Sequence, residues 1–131
     1  MPTAQVSRTT DSCNVIDAMS QDKTLHAARE AYRQGAWADA TDLFLRADAE
    51  GRLAIEDLEA LVWAAGISAR DGEMLAALDR VYAHHAASED QEACARAAFW
   101  SGLRHMMIEV ERRLLRMPRS FQEPPVARPS R

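Results

Sequence analysis

Apolar residues recur at three- and four-residue spacing through most of the chain, the period of helices with one buried face. Leu25, Ala28 and Tyr32 set the first stripe, beginning at Asp22, and Gly35 ends it. A second helix is predicted from Trp37, carrying Ala40, Leu43, Phe44 and Ala47, with Gly51 as its stop. In a third, from Ile55, Glu56 and Asp57 occupy the first turn, where the helix dipole favours anions. Its stripe is Leu58, Leu61, Val62 and Ala65, and Gly66 and Ser68 weaken its end. The turn Arg70-Asp71-Gly72 leads to a fourth helix with Leu75, Leu78, Val81 and Tyr82. Ser88 and Gln91 read as an S-x-x-Q capping box that opens a fifth. Its stripe runs Phe99, Leu103, Met106, Val110, Leu114 and Met117, uninterrupted by Gly or Pro from Gly102 to Pro118. That predicts one final helix of about 25 residues, long for a globular protein.

The flanks lack this period. Residues 1–21 are rich in Ser, Thr and Asn and are expected to be a disordered tail, with at most a transient turn at Val15 to Met19. Residues 118–131, rich in Pro and Arg, are expected to be an extended, disordered tail. The helical domain is therefore 22–117, one domain in a chain of 131 residues. Composition agrees: 25 alanines and 11 leucines stand against 10 valines and isoleucines together, which selects an all-α fold over a sheet.

No apolar run approaches the roughly 18 residues of a membrane span. The first twenty residues carry Arg8, Asp11 and Asp17 and show no signal-peptide pattern. Two cysteines, Cys13 and Cys94, cannot staple a secreted mini-domain, so a reduced, cytoplasmic setting without membrane contact is expected. Charge is uneven. From Asp22 to Phe99 there are 15 acidic and 8 basic residues, whereas from Arg104 onward 7 arginines face 3 glutamates. An acidic body is a poor surface for nucleic acid, and a basic end can be an interaction tail.

The chain also carries an internal period. Gly35, Trp37, Ala40, Phe44 and Ala47 spell G-x-W-x-x-A-x-x-x-F-x-x-A, and 34 residues later Ala69, Met74, Leu78 and Val81 match its glycine, alanine and phenylalanine positions in small or apolar character. A 34-residue unit of two antiparallel helices is the signature of tetratricopeptide repeats. The expected architecture is thus antiparallel helix pairs stacked as a short, right-handed, tetratricopeptide-like solenoid with a long C-terminal helix. A third copy, offset by 70, sets Ala98, Val110, Leu114 and Met117 against Ala28, Ala40, Phe44 and Ala47, but puts His105 where the turn glycine belongs.

With A-D-A-E-G (Ala47 to Gly51), E-D-L-E (Glu56 to Glu59) and A-R-A-A-F-W-x-G-L (Ala95 to Leu103), the stretch from Leu25 to Leu103 resembles the helical-repeat region of bacterial, mainly actinobacterial, LuxR-type transcriptional regulators. In those regulators the repeats serve as a sensing or protein-interaction segment, and a carboxy-terminal helix-turn-helix reads DNA. The matching stretch stops after the repeats. The expectation is a stand-alone or truncated relative without the helix-turn-helix domain, or one whose reading frame departs after about Ile108.

Candidate chemistry is sparse. His84, His85, Cys94 and His105 are zinc-ligand types, but neither CxxC nor HxxxH occurs, and adjacent histidines on a helix diverge by about 100°. Glu56, Asp57, Glu59, Asp71 and Glu73 come with no nucleophile and read as first-turn and surface charge. No phosphate-binding loop or nucleophile elbow is present. A non-enzymatic protein is expected, with no catalytic residue, metal or cofactor.

Partner binding is the leading reading. The resemblance places Arg29, Tyr32, Arg33, Glu59 and Trp63 on the concave face lined by the first helix of each pair. Tyr, Trp and Arg are also the residue types of binding hot spots, although Tyr32 and Trp63 read first as edges of the core. Met106 and Met107 add a second candidate surface. With Ile108 they point three ways around one helix, which suits packing against a protein partner or a second copy, or gap-filling over the preceding helices. The alternative is a transcription-associated protein that contacts DNA through Arg112, Arg113, Arg116 and Arg119.

Overall fold

No proline stands between Val6 and Met117, and the alanine-rich chain runs helical wherever a joint does not break it. The computed structural model describes residues 6–118 and is all-helical over them. The helices are α1 (Val6–Arg33), α2 (Trp37–Glu50), α3 (Ile55–Ile67), α4 (Asp71–Ala87) and α5 (Gln91–Arg116). Each packs on its neighbour in sequence, and α1 also touches α3.

Three of the four joints are the same turn. The N–H groups of Ala36, Arg70 and Asp90 donate to the carbonyls of Ala31, Ala65 and His85, five residues back, at 2.9, 2.8 and 3.0 Å. One residue earlier the backbone turns left-handed, at Gly35 (φ 74°), Ala69 (φ 58°) and Glu89 (φ 58°). These are Schellman-type caps, which satisfy the last carbonyls of one helix while aiming the chain into the next. The remaining joint, between α2 and α3, is held by the Asp48 carboxylate, which accepts from the Leu53 N–H at 3.2 Å.

The core follows the positions matched in the sequence. Ala40, Phe44 and Ala47 on α2 are fully buried, and Met74, Leu78 and Val81 on α4 are buried in turn. Small residues at 40 and 47 let α2 lie close to α1, while Phe44 fills the space beneath Tyr32, ring centroids 6.4 Å apart. Leu61, Val62, Ala64 and Ala65 supply the buried face of α3. Ion pairs then tie helix to helix. Arg80 on α4 grips Asp48 on α2 with two bonds of 2.7 and 2.9 Å, and Arg70 bridges Asp42 and Glu73.

Two expectations are corrected. The first helix begins at Val6 rather than Asp22, so residues 6–21 are helical and not a disordered tail; residues 1–5 lie outside the described residues. The reason lies in packing. Gln21 is where α1 first reaches α2, its amide donating to the Gly51 and Ala47 carbonyls. Before it, Val15, Ile16 and Met19 are exposed, so no buried face imposes a period. Second, Ser88 does not cap α5. Its hydroxyl donates back to the His84 and His85 carbonyls, and Asp90 caps α5 by accepting from the Ala93 N–H at 3.0 Å. The left-handed turn at Glu89 moves the start of the helix two residues on. The single long final helix expected from the sequence is present: α5 is 26 residues and passes through His105 without a break, so the third copy has no turn and no second helix there. Of the Pro/Arg-rich tail, residues 119–131 lie outside the described residues.

Candidate functional site

α3 and α5 both rest on α4, but their backbones stay apart. Two tryptophans bridge the gap. Trp63 of α3 and Trp100 of α5 meet edge to face with ring centroids 5.1 Å apart, and Phe99 stacks against Trp100 at 5.5 Å in the same manner. Trp63 keeps 43% of its surface exposed, a large amount for a residue of its size beside a core.

The bridge divides the groove into two hollows. One, of about 180 Å³, has Leu78 and Val81 as its floor and Glu59, His85 and Arg96 at its rim. There His85 Nε2 lies 3.2 Å from Glu59 Oε1, while Arg96 reaches only its helical neighbour Glu92 at 3.7 Å and stays exposed. The other, of about 220 Å³, is lined by Gly66, Ile67, Met74, Leu103 and Met107. Its one charged wall residue, Arg104, is engaged by Asp71, with Nε to Oδ1 at 2.7 Å. Gly66 makes room here, since a Cβ at that position would stand 2.9 Å from the Met74 sulfur. The result is an aromatic saddle between a polar-rimmed hollow and an apolar one. Such a surface binds by burial and stacking, and the methionines can repack around what enters.

Of the residues singled out in the sequence, Glu59, Trp63 and Met107 line this groove. Met106 does not; it points outward and is 58% exposed. Arg29, Tyr32 and Arg33 meet in a separate shallow depression between α1 and α3. There Arg29 holds Asp57 through two bonds of 2.8 and 2.7 Å, the carboxylate buried and the guanidinium half in solvent. Those bonds, then the charge of Asp57, raise the Arg29 pKa further above its ordinary value. Arg33 pairs with Glu30, and Tyr32 wedges its ring against Trp37 and Phe44. Tyr32 thus serves the core edge. Arg113 pairs with Glu109 at 3.1 Å, and Arg119 lies outside the described residues. Among the described residues, no three His, Cys, Asp or Glu side chains gather to hold a metal.

Trp100 and Arg96 escaped the sequence reading. The signal was present: Trp63 is the ninth residue of α3 and Trp100 the tenth of α5, so two tryptophans stand at matching depth on helices that share α4 as their floor. Compared with known proteins, the chain matches no protein-family model, no curated protein and no solved structure.

Proposed function

We propose that this chain is a non-enzymatic protein-interaction module, a short tetratricopeptide-like solenoid of right-handed stacking that works in the cytoplasm and takes an apolar segment of a partner protein into the groove between α3 and α5. Its regulatory setting, by the resemblance drawn above, is that of the sensing region of a LuxR-type regulator. The observation that carries the reading is the Trp63–Trp100 pair, with Trp63 exposed and Trp100 partly buried, set across two helices whose backbones do not meet. Desolvating tryptophan in a concave site is a strong source of binding energy, and hot spots are enriched in this residue. The apolar hollow beside Met74 and Met107 accepts an aliphatic or aromatic side chain, and the Glu59–His85–Arg96 rim supplies hydrogen bonds around it.

The test is to pan a displayed peptide library on the folded chain and measure the selected peptides by tryptophan fluorescence. Peptides sharing an apolar anchor are expected, with affinity lowered about tenfold or more by Trp63→Ala or Trp100→Ala. Peptides that bind both variants as well as the parent protein would move the site away from this groove.

A further inference from the structure

α5 has a second apolar face, and it is not the one that lines the groove floor. Ala93 and Ala97 are buried against α4. About 120–160° around the helix stand Phe99, Met106 and Val110, which are 62, 58 and 50% exposed. With Ala95 and Gly102 they form a seam at spacings of four, three, four and four residues, the arrangement by which one helix receives another. Gly102 has no reason within this chain, since a Cβ there would meet nothing within 4 Å. Glycine inside a helix is destabilising relative to alanine, so close approach by an outside body is the physical use left for it.

Charge along the helix selects that body. The approach to α5 and its first turns carry Glu89, Asp90 and Glu92 against Arg96, and its last turns carry Arg112, Arg113 and Arg116 against Glu109 and Glu111, so the start is net acidic and the end net basic. A parallel copy would set like charges together. An antiparallel copy sets acid against base at both ends, and the same two-fold axis serves both helices. We infer that the outer face of α5 pairs antiparallel with α5 of a second copy of this chain, about a two-fold axis passing between Gly102 and Leu103.

One register then satisfies every position of the seam. Phe99 lies opposite Met106 of the second copy, a sulfur–aromatic contact. Ala95 lies opposite Val110, small against branched, and Glu92 opposite Arg113. Gly102 sits beside the axis, where the helices are closest. The pairings of Glu92 with Arg96 and of Arg113 with Glu109 within one chain are exposed and weak, so they yield to the contact between copies. This pairing does not depend on the proposed groove, because Trp63 takes no part in it.

Light scattering coupled to size-exclusion chromatography on the full chain, over a dilution series, tests it. The wild type is expected to be a dimer that dissociates on dilution. Glu92→Arg and Arg113→Glu should each weaken it about tenfold, because the two-fold axis counts each exchange twice. The combined variant Glu92→Arg/Arg113→Glu should restore the dimer, and Met106→Lys should abolish it while circular dichroism shows unchanged helix content. A wild type that is monomeric throughout the series overturns the proposal. So does a combined variant as weak as the single ones, since the helices then do not meet in this register. Trp63→Ala, which tests the groove, should leave the dimer intact.

Discussion

Ala69 occupies the same left-handed turn position between α3 and α4 that Gly35 occupies between α1 and α2, with φ of 58° against 74°. The geometry is shared but the residue is not. An L-residue with a Cβ pays roughly 1–2 kcal/mol for that conformation, whereas glycine adopts it freely. Glycine gives back part of the gain through its looser unfolded chain, about 0.4–1 kcal/mol. Ala69→Gly is therefore expected to stabilise the protein by about 0.5–1 kcal/mol, read as a higher denaturation midpoint in urea. Ala69→Val should lower that midpoint, because a branched side chain fits this conformation worst.

Removing Arg29 exposes a different dependence. Its partner Asp57 is only 6% exposed in its side chain, so Arg29→Ala leaves a carboxylate buried without its two charged bonds. Since water reaches the arginine side, the cost falls below that of a fully buried pair, at about 2 kcal/mol. Arg29→Lys should recover only part of it, because an ammonium cannot form the two-pronged contact. Thermal denaturation of the three proteins would order them wild type, lysine, alanine.

Acid should act partly through Asp48. Hydrogen bonds from Arg80 hold its carboxyl below the ordinary value of 3.8, against the opposing effect of burial. A carboxyl with the lower pKa in the folded state stabilises the fold fully above the unfolded value and loses that contribution as pH falls through the folded one. Stability measured from pH 5 downward should therefore fall more steeply in the wild type than in Asp48→Asn. The difference is of the order of 1 kcal/mol. Equal slopes would show that the Arg80 pair contributes nothing.

Gly51 and Gln21 form a third coupled pair. A Cβ at Gly51 would stand 2.6 Å from the Gln21 amide oxygen, so Gly51→Ala pushes that side chain off the carbonyls it holds. Gly51→Ala and Gln21→Ala should each cost about 1 kcal/mol, and the double variant little more than either. Additive losses would mean that the two residues act separately.

Periodicity reports burial rather than helicity, and that distinction decides what could be read from the chain. α2, α3 and α4 lie where their apolar stripes and stops put them, because Phe44, Leu61 and Leu78 each have a helix to pack against. Further up α1, Val15, Ile16 and Met19 have no such neighbour, and the sequence there shows no stripe although it is helical. Ser88 misled for a local reason: a hydroxyl can cap the helix before it as readily as the one after, and the left-handed residue at 89 decides which. At the groove, Glu59, Trp63 and Met107 were visible as exposed types on the right helices. Trp100 showed only its matching depth with Trp63; that the two meet depends on how α4 holds α5 relative to α3, which no spacing rule encodes.

Because α1 is one unbroken rod, anchored from Gln21 onward but exposed at Val15, Ile16 and Met19, its amides will not share a single fate. Around Ala28, hydrogen–deuterium exchange must wait for the whole fold to open. At Val15 to Met19 it needs only the fraying of a solvated turn. A gradient of protection is thus written along a single helix, and anything that closes over the first half of that rod will announce itself as slowed exchange there before any change of shape is seen.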